Sequence, residues 1–247
     1  MKYVFGNWKM NLNLEQASNL TKDLVIDTIG GDVEVAIFPP FTHLYPVGKE
    51  LQNSQIKFGG QDLSPSQNGA FTGDISAEML KYLACKYVLV GHSERRTIHG
   101  ESNEIVTKKA NAAIKAGLIP VICVGENLEQ REQGNYLEII VEQLQQSLPS
   151  DKNAHYIVAY EPVWAIGTGK TSNLQEIEEV HKTIASTLYY AKQSAGQTQK
   201  TPVLYGGSVK ASNAGEIMNN DFVDGVLVGG ASLSSEEFGK IITCAGL

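Results

Sequence analysis

Eight short runs of apolar, β-favouring residues recur along this 247-residue chain. They are 3–5 (YVF), 33–38 (VEVAIF), 56–60 (IKFGG), 87–90 (YVLV), 119–124 (IPVICV), 156–160 (YIVAY), 202–206 (PVLYG) and 225–229 (GVLVG). Several are apolar almost throughout rather than alternating, which is the pattern of strands buried on both faces of a parallel sheet. Segments with apolar residues three and four apart lie between them and read as helices over 14–29, 102–116, 128–148 and 173–194. Shorter helical stretches cover 44–52, 77–83, 213–220 and 234–244. Ser102 and Asn173 are candidate N-caps, and Gly30 and Gly117 candidate C-terminal stops.

Eight strand–helix units without a linker between halves point to the α/β class and to one closed (β/α)8 barrel over 1–247. A doubly wound open sheet is the competing arrangement. Charge narrows function rather than fold. A formal net charge of −7 lacks the basic face of a nucleic-acid binder, although a local positive site can still hold an anion. Cys85, Cys123 and Cys244 are odd in number, far apart and outside any C-x-x-C pair, so a reducing compartment is expected. The opening MKYVFGNWKMN has no signal-peptide core, and no apolar run approaches the roughly 18 residues of a membrane span. A cytoplasmic protein is the expectation.

In such a barrel, reacting groups stand just after the carboxyl ends of the strands. The first run is followed by Asn7 and Lys9, the fourth by His92 and the sixth by Glu161. The seventh and eighth are followed by the glycine-rich turns 206–208 and 229–232. Alone, each is ordinary: a surface lysine, an ion-paired glutamate, a hydrogen-bonded histidine, a tight turn. On one rim they become a base, an imidazole, an amine and an anion cradle. Gly207, Ser208, Gly229 and Gly230 allow backbone N–H groups to approach a phosphate, so a small phosphorylated substrate is expected.

The stretch GTGKT (167–171) looks like the end of a nucleotide phosphate loop, but the first glycine of that pattern would fall at position 164, which is Trp. No G-x-G-x-x-G follows a strand, and the five histidines have no metal-ligand spacing. Residues 61–76 form a connection longer than the usual 2–6 residues, and so are expected to serve a purpose of their own.

The strings FGNWKMN, VGHSERR, AYEPVWAIGTG, YGGSV and LVGGAS occur in this order, and together they resemble the triosephosphate isomerase family over residues 2–246. The resemblance implies a TIM barrel that interconverts dihydroxyacetone phosphate and D-glyceraldehyde 3-phosphate without cofactor or metal. It makes Glu161 the base, His92 a neutral electrophile and Lys9 an electrostatic stabiliser. Asn7 then contacts substrate, and Gly167, Ser208, Gly229 and Gly230 hold its phosphate. Ser93 and Glu94 support the site, SERR begins a short helix, and closure over the substrate desolvates Glu161. The neutral histidine and the closing loop are established features of this family. Hinges fall at 162–164 and 170–172, and the stretch between them is the lid.

The resemblance also implies a homodimer, with GAFTG (69–73) projecting into the neighbouring subunit and Thr72 reaching its site. Three positions depart from the family pattern. Asp74 stands where Glu is common, leaving a shorter reach toward a partner's Arg95. Asp62 replaces a frequent Asn, and His99 a frequent Phe.

Overall fold

The computed structural model describes residues 1–27, 32–151, 153–166, 172–194 and 196–246. Strands and helices alternate in the order β1 (Lys2–Asn7), α1 (Leu14–Asp27), β2 (Val33–Phe38), α2 (Leu44–Glu50), β3 (Lys57–Gly60), α3 (Ala77–Tyr82) and β4 (Tyr87–Val90). They continue through α4 (Ser93–His99), α5 (Asn103–Lys115), β5 (Ile119–Val124), α6 (Leu128–Glu132), α7 (Tyr136–Ser147) and β6 (Ile157–Tyr160). The chain ends with α8 (Leu174–Gln193), β7 (Val203–Tyr205), α9 (Ala211–Met218), β8 (Gly225–Val228) and α10 (Ser235–Ala245). All eight strands run parallel in sequence order, and β1 pairs with both β2 and β8 to close the barrel. Phe5 lies opposite Ala36 on one side and Leu227 on the other. The open-sheet alternative is thereby excluded.

Residues along each strand alternate between two cores. Tyr3, Phe5, Phe38, Tyr87, Ile157 and Ala159 belong to the inner one. Val4, Val88, Val158, Tyr160 and Val226 belong to the outer one, with the helices. Phe5 meets Tyr3, Phe38 and Tyr87 at ring-centroid distances of 5.7, 5.6 and 4.8 Å. Such aromatic pairs contribute about 0.5–1.5 kcal/mol each beyond the burial of their surface. The barrel is therefore packed through its axis. The same alternation carries Asn7 inward after Tyr3 and Phe5, and Glu161 inward after Ile157 and Ala159.

The helix expected over 128–148 is two helices. Residues 129–135 (EQREQGN) hold no apolar side chain, and Gly134 turns left-handed at φ 78°. With nothing to bury there, the chain breaks and restarts at Tyr136. Ser102 and Asn173 cap α5 and α8 as expected, and Gly117, at φ 76°, follows the end of α5. Gly30 lies outside the described residues.

Candidate active site

Lys9 follows β1 in a left-handed conformation, φ 52°. For a residue with a side chain this costs roughly 1–2 kcal/mol, so neighbours must hold it. Asn7 Oδ1 accepts the Lys9 N–H at 3.0 Å, and Gln61 Nε2 donates to the Lys9 carbonyl at 2.7 Å. Gln61 also donates to the carbonyl of Phe38 at 2.8 Å, tying the ends of β1 and β2 together. The Lys9 ammonium donates to the Glu94 carboxylate.

His92 owes its aim to Gly91. Strand alternation would turn residue 92 outward, but Gly91 at φ 66° redirects the chain. A Cβ there would meet Val106 at 2.6 Å. At the start of α4 the Glu94 N–H donates to His92 Nδ1 at 3.2 Å. Nδ1 must carry its lone pair for that bond, so a neutral ring holds its proton on Nε2. Nε2 faces Glu161 Oε1 at 2.8 Å, and the Ser93 N–H donates to Glu161 Oε2 at 2.8 Å.

Glu161 is only 2% exposed. Burial by itself would raise its pKa, as expected from desolvation. In this arrangement burial is outweighed by His92, by the Ser93 N–H and by Lys9, so the pKa sits below the ordinary glutamate value. Burial likewise disfavours the imidazolium of His92, but the Glu161 carboxylate prevails and holds that pKa above the ordinary histidine value. The Glu94 N–H opposes this, and the neutral ring is the state in which every one of these hydrogen bonds is made. The carboxylate here is quiet; it becomes a stronger base when it leaves His92 and Ser93 while staying dry.

Asn7, Lys9, His92, Glu161, Ser208, Gly229 and Gly230 share one cavity of about 590 Å³. Glycine is required on its far wall. A Cβ at Gly207 would lie 2.2 Å from Tyr205 Oη, while Gly230 leaves open space around it. Gly167 and the 170–171 part of the second hinge lie outside the described residues. A slightly larger cavity, about 640 Å³, lies between residues 65–67 and α5, but it contains none of these groups.

The model of one protein family, triosephosphate isomerase, matches residues 2–245. The chain belongs to the triosephosphate isomerase family. It is thus an intramolecular isomerase. A triosephosphate isomerase from Bordetella pertussis is 45% identical over 242 residues, covering 97% of this chain and 96% of that one. One from Chlamydia trachomatis is 46% identical over 248 residues, covering 98% and 89%. The crystal structure of triosephosphate isomerase from Bartonella henselae superposes with a TM-score of 0.87 at 37% identity, covering 98% of both chains.

Several supporting groups of this triosephosphate isomerase family member escaped the sequence reading. Glu126, just beyond β5, is fully buried, and burial raises its pKa. Its Oε1 accepts from Trp164 Nε1 at 2.8 Å and Tyr160 Oη at 3.1 Å. Its carbonyl accepts the Val163 N–H at 3.0 Å, so the first hinge is docked on β5. Arg96 joins the ends of β4 and β5 through the carbonyls of Gly91 (2.8 Å) and Cys123 (3.1 Å). At Gly125 a Cβ would stand 1.8 Å from the Glu161 carbonyl oxygen. Inspecting every strand end finds Gly125 and Glu126; nothing in the letters marks Gln61 or Arg96.

In the loop between β3 and α3, Thr72 is exposed. Asp74 accepts the Ser64 hydroxyl at 2.7 Å. Arg95 Nε lies 2.8 Å from Asp62 and 2.5 Å from Glu101, and Lys109 bridges the same two carboxylates. The departure at Asp62 thus completes a partly buried cluster of two acids and two bases. Within the chain, both members of the expected Asp74–Arg95 pair have other partners.

Proposed function

We propose that this chain interconverts dihydroxyacetone phosphate and D-glyceraldehyde 3-phosphate, with Glu161 carrying a proton between adjacent carbons. The observation that carries this reading is the convergence of Glu161, the Nε2 edge of His92 and the Lys9 ammonium on one cavity, opposite two glycine-rich turns. The substrate phosphate sits against the backbone of Ser208, Gly229 and Gly230. Its carbonyl oxygen faces His92 and Lys9, and Asn7 fixes the loop that carries the lysine.

Glu161 takes a proton from the carbon bearing the hydroxyl group. The electron pair moves onto the carbonyl oxygen as an enediolate. His92, as a neutral donor, and Lys9, as a fixed charge, stabilise that oxygen, and such preorganised groups contribute about 3–4 kcal/mol apiece. The hydroxyl proton crosses to the former carbonyl oxygen by way of His92, whose Nε2 gives a proton to that oxygen and takes one from the other, and Glu161 returns its proton to the neighbouring carbon. Ser93 and Glu94 hold the base and the lysine between turnovers. The balance needs no cofactor or metal.

The chain as a whole is one domain in this reading, and it works in the cytoplasm as a homodimer. Met10, Tyr45, Phe71, Met79 and Ile98 are exposed apolar side chains on elements that follow the first four strands, which are neighbours in the barrel. An apolar face of this kind is the mark of a subunit interface. Thr72 and Arg95 stand on the same half of the barrel. A coupled assay with glyceraldehyde 3-phosphate tests the reading: steady turnover by the folded protein is expected, and its absence overturns it.

A further inference from the structure

A second cavity, about 190 Å³, is also lined by Glu161, which among the described residues is the one that lines both it and the larger substrate cavity. The two carboxylate oxygens are divided between them. Oε1 is held by His92, which lines the front cavity alone, and Oε2 is held by the Ser93 N–H, which lines the rear cavity alone. The rear cavity has Cys123 on its buried floor and exposed Thr97 and Asn127 at its mouth.

Arg96, Asn127 and Gln130 on its lining are already hydrogen-bonded, but part of the polar lining is unspent. Among the described residues, the Ser93 and Thr97 hydroxyls make no hydrogen bond within the chain. Gln143 accepts the Gly125 N–H at 2.7 Å through its oxygen, which leaves its amide hydrogens free. A polar space of this size has room for several waters, each needing two to four such partners. Cys123 does not compete for the proton, because burial holds its thiol protonated.

We propose that the rear cavity is a water passage through which the proton on Glu161 exchanges with solvent while a bound triose covers the front. This rests on Glu161 being the base of the reaction. After the first transfer Glu161 is a carboxylic acid. With Oε2 back at Ser93, it gives its proton to a cavity water and takes another from it, so the acid is unchanged and only the isotope differs. The proton that reaches the second carbon is then either the substrate's own or one from solvent, and the rear passage sets the ratio.

The test is turnover in deuterium oxide, with NMR reading the fraction of product that carries solvent deuterium at the newly protonated carbon. Thr97→Trp and Thr97→Arg place two plugs of different shape at the mouth, away from substrate. The expected result is a solvent-deuterium fraction lowered by at least about twofold in a plugged variant, with kcat/KM near that of the unaltered enzyme. Thr97→Ser should keep the original fraction. A fraction unchanged in both plugged variants overturns the proposal and assigns exchange to the front. No turnover by the unaltered protein instead overturns the isomerase reading beneath it.

Discussion

Glu161 Oε1 and His92 Nε2 lie 2.8 Å apart, each buried and each shifting the other's affinity for a proton. This contact lowers the pKa of a carboxylate that burial alone would raise. In the proposed reaction, substrate must separate this pair before Glu161 acts as the base.

A pH dependence follows. The Glu161 pKa in the folded chain is lowered, so its contribution to stability is present above the unfolded value and is lost as pH falls through the folded value. The unfolded value is about 4.3. The stability difference between the unaltered protein and Glu161→Gln should therefore shrink between about pH 6 and about pH 3. Urea unfolding midpoints of both proteins measure it. A difference that is constant or grows on acidification contradicts the paired carboxylate.

Lys9→Ala removes the positive charge that the proposed reaction places at the reacting oxygens. We expect kcat/KM to fall by at least about 10²-fold, the scale of losing one preorganised group. Circular dichroism should remain that of the folded barrel, since the bonds from Asn7 and Gln61 that hold residue 9 are made to its backbone. An unchanged kcat/KM removes Lys9 from its role.

Gly125→Ala tests how β5 supports the base. The added Cβ meets the Glu161 carbonyl oxygen at 1.8 Å, a backbone atom that cannot move alone. Overpacking of this kind costs about 1–3 kcal/mol, which is roughly 2–12 °C in melting temperature for a chain of this size. Calorimetry showing no change would mean that the two strand ends are not held in contact.

Replacing 69–73 with a short linker tests the dimer. A folded, weakly active monomer is expected in sedimentation velocity. An intact dimer at the same concentration shows that the 61–76 loop is not what holds two copies together.

Much of this was legible in the letters. All eight strands fall within one or two residues of the apolar runs, because strands buried on both faces cannot hide their composition. Asn7 and Glu161 follow from counting by twos along β1 and β6. His92 does not, since Gly91 resets the count. The split at Gly134 was visible as a polar gap that a search for helical spacing passes over. What stayed hidden depends on contacts between distant segments. Gln61 reaching back to Lys9, Arg96 fastening two strand ends, and Asp62 completing a cluster with Lys109 have no local signature. The low pKa of Glu161 was hidden for the same reason, because it is set by His92, Ser93 and Lys9 rather than by its own neighbours in sequence.

The proposed reaction turns on Glu161 as the base, and the most direct measurement is kcat for Glu161→Gln with glyceraldehyde 3-phosphate. The amide keeps the side chain's shape and an oxygen for the Ser93 N–H, so the fold should persist. We expect kcat to fall by at least about 10²-fold, the low end for losing a positioned base. A folded Glu161→Gln variant with undiminished kcat would contradict the account.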